Sequence, residues 1–151
     1  MDETLETRPI FLYGTLLSKQ LLSLLLTGDQ SNEQTLTGSL KPATLFGFSR
    51  RAVHGKDYGA LLKSCPTDSV QGLLFAPQDI SDRRKLYNFE GEQYQLCDVV
   101  VLDEGGEKVD AVVFVWAGLE SELTETEWDV DEFMKNRLGD WLDLFEGIEF
   151  C

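Results

Sequence analysis

The chain has 151 residues, of which 42% are hydrophobic, and this is enough for one globular domain with a sizeable core. Its 27 acidic and 13 basic residues give a formal net charge of -14, which would repel a phosphate backbone and so excludes a typical nucleic-acid partner. Apolar runs end well short of the roughly twenty residues of a membrane span, and the N-terminus lacks a signal-peptide pattern. We therefore predict a single soluble domain, 1–151, in the cytoplasm, with no membrane partner.

The sequence contains no pattern typical of a metal site or of a hydrolase. The cysteines at positions 65, 97 and 151 are widely spaced and odd in number, which favours free thiols over disulfides or a zinc site. Residues 129–140 lack the third oxygen ligand and the glycine of a calcium loop. The single histidine, His54, lies in a glycine-containing turn, and no serine stands in a G-x-S-x-G motif. The sequence predicts neither a metal site nor a hydrolytic triad.

The first elements in the chain form a junction around Gly14. An apolar run at 9–13 predicts a strand, and leucine-rich residues 19–26 predict a buried helix with Ser18 as N-cap and Gly28 as its end. A strand-turn-helix junction gathers consecutive backbone N–H groups and a helix N-terminus around one point, which makes an anion-binding concavity. Taken alone, however, such a glycine more often serves only to turn the chain.

The rest of the chain alternates short strands with few helices. Strands are predicted at 35–40, 58–63, 69–76, 97–102 and 109–117, and a glycine-containing hairpin at 103–107 joins the last two. A short helix is predicted at 82–87, capped near Asp79, and one amphipathic helix at 128–145 with Lys135 and Arg137 on its exposed side. The acidic run after Gly118 is interpreted as a solvated face. This order indicates an α+β protein, not a doubly wound sheet.

Glu90 is the candidate for acid-base chemistry. It stands between Phe89 and Gly91, where the short helix is predicted to give way to a loop. Apolar neighbours raise the pKa of a carboxyl, and a carboxyl poised near neutrality can accept a proton and later return it. A single loop glutamate is usually solvated, so this candidate needs a second signal. The same tripeptide recurs at 145–147, where it is interpreted as the end of the C-terminal helix.

Two motifs together supply that signal. The segment FLYGTL at 11–16 and the later segment LYNFEGEQY at 86–94 resemble, in order and spacing, the AIG2-like branch of the gamma-glutamylcyclotransferase family. The resemblance spans residues 10 to about 118, and 119–151 resembles the acidic C-terminal helical extension of eukaryotic members. It implies a mixed β-barrel with flanking α-helices and a C-terminal helix. It also implies an acyltransferase-type enzyme that releases 5-oxoproline from a small γ-glutamyl compound without a cofactor.

The resemblance also implies residue roles. Glu90 falls on the family's catalytic acidic residue, and the substrate-binding residues fall on Tyr13, Gly14, Thr15, Leu16, Tyr58 and Tyr94. In the implied reaction the substrate's α-amine attacks its own γ-carbonyl, so holding the substrate folded brings nucleophile and electrophile together without an enzyme nucleophile. Glu90 would take a proton from the amine and pass it to the departing amine.

Departures from the family pattern leave a second hypothesis open. Leu96 replaces the family's usual arginine, Tyr87 replaces a usual aspartate, and Gly59 replaces the usual proline after Tyr58. Loss of the arginine is compatible with a changed substrate, a lost structural ion pair, or a member without catalysis. The alternative to the enzyme is therefore a non-catalytic module that keeps the fold and binds a small ligand in the same pocket.

Overall fold

The computed structural model describes residues 7–146. The strands are β1 (Ile10–Leu12), β2 (Leu40–Phe46), β3 (Phe48–Val53), β4 (Gly59–Lys63), β5 (Ser69–Phe75), β6 (Tyr94–Asp103), β7 (Lys108–Trp116) and β8 (Leu123–Glu127). The helices are α1 (Lys19–Thr27), α2 (Ile80–Glu90), α3 (Val130–Glu132) and α4 (Leu138–Phe145), with 3-10 turns at Thr15–Leu17, Gln30–Ser39, Gly91–Gln93 and Glu120–Glu122 and a π-helical turn at Phe133–Arg137.

Five strands form a closed barrel in the order β1-β5-β2-β6-β7. β1 runs parallel to β7, with Ile10 opposite Val112, and this pairing closes the barrel; the other neighbours are antiparallel. Strands β4, β3 and β8 form a second antiparallel sheet. The predicted α+β class, with a mixed barrel, flanking helices and a C-terminal helix, is confirmed.

Strand β1 separates two hydrophobic clusters. Successive side chains of a strand point to opposite faces. Phe11 and Tyr13 therefore join the barrel cluster around Leu45 and Val101, and Ile10 and Leu12 face the helices. The helix-facing cluster includes buried residues from four helical elements, namely Leu21, Leu22, Leu25, Leu86, Phe133, Leu138 and Leu142. The residues around β1 are thus held from both sides, which fixes the position of the turn that follows it.

The first helix matches its predicted signals. The Ser18 hydroxyl accepts a hydrogen bond from the Leu21 N–H at 3.1 Å, and Gly28 ends α1 with a φ of 80°. The hairpin between β6 and β7 is also confirmed, and its Gly106 has a φ of 81°. No helix within residues 7–146 has the length and apolar character needed to cross a membrane.

Two differences from the predicted secondary structure share one reason. Residues 35–39 lie in the 3-10 turn that starts at the Asp29 cap, because the ladder between β2 and β5 begins only where Leu40 pairs with Phe75. Strand β8 was not predicted, because four of its five residues are the polar sequence TETE. It is a sheet edge paired with β3, and only Leu123 is buried. In both cases a distant pairing partner, not local propensity, decides the structure.

The C-terminal segment, residues 130–145, packs as part of the main core. Its predicted start at 128 is wrong by two residues, since Asp129 caps the segment through hydrogen bonds from the N–H groups of Asp131 and Glu132. Phe133, Leu138 and Leu142 are buried in the helix-facing cluster, and Lys135 and Arg137 are exposed as predicted. Cys65 and Cys97 are free thiols; Cys151 and Gly147 lie outside the described residues.

Candidate active site

The loop after β1 forms the first wall of a cavity. A 3-10 turn, closed by the hydrogen bond from the Leu17 N–H to the Gly14 carbonyl at 2.9 Å, follows the strand. Helix α1 begins at Lys19, directly after the Ser18 cap that ends this turn, so the chain follows the predicted order of strand, turn and helix. The amides of residues 14–16 open the 3-10 turn and have no partner within it. They are the anion-binding groups that this loop can offer.

Arg50 holds the 13–16 loop through its hydrogen bond to the Tyr13 carbonyl. Its side chain is nearly buried, and one guanidinium nitrogen donates to the Tyr13 carbonyl oxygen at 2.7 Å. A second nitrogen donates to the Glu127 carboxylate at 3.1 Å, and the guanidinium lies 5.6 Å from the Trp128 ring centroid. These contacts hold Arg50 in one orientation, so the Tyr13 carbonyl and the following amides are held as well.

Helix α2 presents Glu90 from the opposite side. The helix is longer than the predicted 82–87 and ends at Glu90, after which Gly91 turns the chain with a φ of 74°. The buried Arg83 donates to the Arg8 carbonyl at 2.6 Å, and Lys85 donates to the Leu26 carbonyl at 2.8 Å. These bonds tie α2 to the chain before β1 and to the end of α1, so Glu90 is held against the loop by rigid elements.

The carboxyl group of Glu90 has a raised pKa. Glu90 keeps some solvent accessibility as a residue, but its carboxyl lies in a dense shell of protein atoms, and this burial raises its pKa from 4.5 to about 7. Near neutral pH the group is therefore divided between its acid and base forms. A residue in this state can both accept and donate a proton.

Two tyrosines stand close to that carboxyl. Burial raises the pKa of Tyr13 and of Tyr94, and the negative charge of Glu90 raises both further. The Tyr13 hydroxyl donates to the Phe114 carbonyl, and the Tyr94 hydroxyl donates to the Gly59 carbonyl at 2.8 Å. Both tyrosines thus remain neutral, and their hydrogen bonds fix the walls around Glu90.

A cavity of about 150 Å³ lies between these elements. The structure brings all seven residues singled out from the sequence into its lining: Tyr13, Gly14, Thr15, Leu16, Tyr58, Glu90 and Tyr94. None of the described lining residues is a lysine or an arginine, so an anionic group there would depend on backbone amides and hydroxyls. Within residues 7–146 no cluster of three or more His, Cys, Asp or Glu side chains could hold a metal ion.

Sequence reasoning missed part of the lining. The additional residues are Phe11, Leu12, Gly59, Phe89, Gln93, Phe114, Trp141 and Phe145. Gln93 accepts a hydrogen bond from the Tyr58 hydroxyl at 3.1 Å. Trp141 and Phe145 belong to the apolar side of the predicted C-terminal helix, but their spacing does not distinguish a cavity wall from ordinary core packing. Phe145 also belongs to the repeated tripeptide that was interpreted only as a helix end.

A closed mixed barrel, with a glycine turn after its first strand facing a buried glutamate at the end of a flanking helix, defines a gamma-glutamylcyclotransferase-like protein. The chain belongs to the family described as gamma-glutamyl cyclotransferase, AIG2-like, whose sequence model matches residues 10–142. This match confirms the resemblance seen in the two motifs. It also continues beyond residue 118 into the C-terminal segment.

Individual relatives agree with this assignment. The chain is similar to AIG2-like protein D of Arabidopsis thaliana, with 29% identity over 147 residues covering 95% of this chain and 90% of that protein. A solution structure from Arabidopsis thaliana is similar with a TM-score of 0.66 at 20% identity, covering 96% of this chain and 83% of that one. A gamma-glutamyl cyclotransferase structure has a TM-score of 0.54 at 16% identity, covering 97% and 90%. At these identities the solved structures establish the shared fold.

Proposed function

We propose that the protein is a cofactor-independent gamma-glutamylcyclotransferase that releases 5-oxoproline from a small γ-glutamyl compound. The observation that carries this proposal is the position of Glu90, whose burial raises its pKa to about 7, in one cavity with the 13–16 loop. We also keep the expectation of a cytoplasmic location.

In the proposed reaction the loop amides hold the α-carboxylate of the substrate's glutamyl portion. The α-amine is protonated at neutral pH, and Glu90 in its carboxylate form removes a proton from it. The free amine attacks the γ-carbonyl carbon, a new C–N bond closes the five-membered ring, and the original amide C–N bond breaks. Glu90 gives this proton to the departing nitrogen, then takes the second proton that the attacking nitrogen loses on becoming the ring N–H and passes it to the same amine. The products are 5-oxoproline and a free amine, and no water is consumed.

Two of the three departures from the family pattern lie outside the cavity lining. Leu96 is not among the residues that line the cavity, and it pairs across the β6-β7 ladder with Phe114. Tyr87 packs edge-on against the same Phe114 ring at 5.6 Å between centroids. Both side chains therefore pack against the Phe114 ring. This supports the interpretation that these two substitutions change packing and do not remove a catalytic charge.

The test is incubation with a panel of γ-glutamyl amino acids and amines, with 5-oxoproline as the measured product. We expect turnover by the wild type, with a rate that rises as the pH increases through about 7 because the base form of Glu90 is required. Glu90→Gln should lower kcat by about 10²-fold or more. The matched control is Glu92→Gln, an exposed glutamate in the next turn, which should keep wild-type rates.

The non-catalytic alternative makes a different prediction. It requires that panel compounds raise the melting temperature without release of 5-oxoproline in any of them. Full activity in Glu90→Gln would instead reject the proposed proton-transfer role while leaving an enzyme in place.

A further inference from the structure

The C-terminal segment supplies an aromatic wall of the cavity. Trp141 and Phe145 both line it, and with Phe89 they form a ring cluster whose centroids are separated by 5.5 to 6.5 Å. We call these three residues the aromatic wall. Tyr58, another lining residue, meets Trp141 edge-on at 6.5 Å. Rings at these distances and angles have favourable geometry, so the wall is an ordered surface.

Asp57 holds this wall in place. One of its carboxylate oxygens accepts a hydrogen bond from the Trp141 indole N–H at 3.0 Å, and the other accepts from the Arg137 guanidinium at 3.0 Å. The Asp57 backbone carbonyl also accepts from the Trp128 indole at 2.7 Å. Asp57 immediately precedes Tyr58, so one residue links the C-terminal segment to the cavity. Both carboxylate oxygens are engaged, which fixes the indole in position as well as in angle.

The aromatic wall lines the same cavity as Glu90, beside which the proposed reaction places the departing amine. Glu90 has to protonate the nitrogen that leaves, so whatever that nitrogen carries begins next to Glu90. The residue before Glu90 is Phe89, whose ring contacts Trp141 and Phe145. In the proposed reaction the 13–16 loop, another part of the lining, holds the glutamyl portion. The substituent on the departing nitrogen is therefore directed towards the aromatic wall.

We propose that Trp141 and Phe145 determine specificity for γ-glutamyl compounds whose amide nitrogen carries an aromatic or branched apolar group, with Asp57 as the positioning residue of the wall. This inference rests on the proposed function. Burying an apolar group against aromatic rings removes apolar surface from water, which favours binding. The described lining residues include no cation that could bind an anionic group.

The test compares substrates that differ only in a phenyl group. One pair is γ-glutamyl-phenylalanine and γ-glutamyl-alanine; the other is γ-glutamyl-phenethylamine and γ-glutamyl-ethylamine, which separates amines from amino acids as the source of the group. We expect kcat/KM to be about tenfold higher for the phenyl member of at least one pair. Trp141→Ala should reduce that ratio to about twofold, mainly through a higher KM for the phenyl compound.

Two further variants test the role of Asp57 separately from that of the aromatic wall. Trp141→Phe keeps a ring but loses the N–H that Asp57 accepts, and Asp57→Asn loses the charge that faces Arg137. We expect both to raise KM for the phenyl compounds by a few-fold with kcat unchanged, which a general loss of folding would not produce. Leu144→Ala is the control, because Leu144 lies on the same helix with 65% of its surface exposed and should leave all ratios unchanged.

The outcomes distinguish this inference from the proposed function. Equal turnover of both members of each pair, unchanged in Trp141→Ala, overturns the inference and leaves the enzyme. If 5-oxoproline is never released but phenyl compounds raise the melting temperature more than their partners, and Trp141→Ala removes the difference, the proposed function fails and the binding preference stands. Absence of both turnover and thermal stabilisation rejects both.

Discussion

At the scale of single residues, Glu90 shows how burial sets both chemistry and stability. The folded state raises the pKa of Glu90 from 4.5 to about 7, so the folded protein resists ionisation of this carboxyl and the unfolded chain does not. The unfolded state then binds fewer protons between these two values. The free energy of unfolding therefore falls as the pH rises from about 4.5 to 7, and the full cost is present above pH 7.

This sign gives a prediction for Glu90→Gln, which removes the ionisable group but keeps its shape. At pH 8 we expect the variant to be more stable than the wild type by about 1–2 kcal/mol, since partial exposure reduces the cost of the buried charge. At pH 5 the difference should shrink to less than half. Urea denaturation at the two pH values measures it. A variant that is less stable at pH 8 would contradict a desolvated Glu90, and a stable, inactive variant would show that lost activity is not lost folding.

At the scale of elements, the docking of the C-terminal segment explains an unusual glycine. Gly59 replaces the proline expected from the family pattern, and a Cβ built at Gly59 would lie 2.7 Å from the Trp128 ring. The Trp128 indole is also bonded to the Asp57 carbonyl, so it has little freedom to move away. The space that a side chain would take at β4 is thus occupied by the residue that leads into the C-terminal segment.

We therefore expect Gly59→Ala to lower the free energy of unfolding by about 1–3 kcal/mol, as overpacking of a fixed neighbour does. The matched control is Gly139→Ala in α4, where an added Cβ meets nothing within 4 Å. Alanine favours a helix, so this control should gain up to about 1 kcal/mol. Thermal or urea denaturation measures both. Equal small effects of the two substitutions would mean that Trp128 shifts freely and does not anchor the segment.

The same comparison of elements explains what the sequence could predict. The β1 strand, the Ser18 cap, the Gly28 end and the β6-β7 hairpin carry their signals within a few residues, and all appear in the structure. The two motifs also identified the cavity residues 13–16, Glu90 and Tyr94, but not Phe11, Leu12, Phe89 and Gln93, which stand in the same motifs. Trp141 was not, because its place in the wall depends on a bond to Asp57, 84 residues away in the chain. No local pattern encodes a contact of that range.

At the scale of the whole molecule, the charge of -14 opposes folding in general. Like charges repel more strongly in the compact state than in the expanded chain, and salt screens this repulsion. A few ion pairs, such as Arg8 with Asp98 at 2.9 Å, offset only a small part of it. Barrel residues Ile10, Phe75 and Val112 share one hydrophobic cluster with Phe133 and Leu142 of the C-terminal segment, so we expect the repulsion to destabilise both together.

We expect the melting temperature to rise by several degrees when NaCl is increased from about 20 mM to 500 mM, because the Debye length falls from roughly 20 Å to about 4 Å. A double variant, Glu104→Lys with Asp110→Lys, should melt higher at low salt and respond less to NaCl, since it lowers the net negative charge; both residues are exposed and neither lines the cavity. Calorimetry in a salt series measures the slope for both proteins. If repulsion between like charges causes the salt response, a lower net charge must give a smaller slope of melting temperature against salt. An equal slope in both proteins would therefore mean that specific ion effects cause the response.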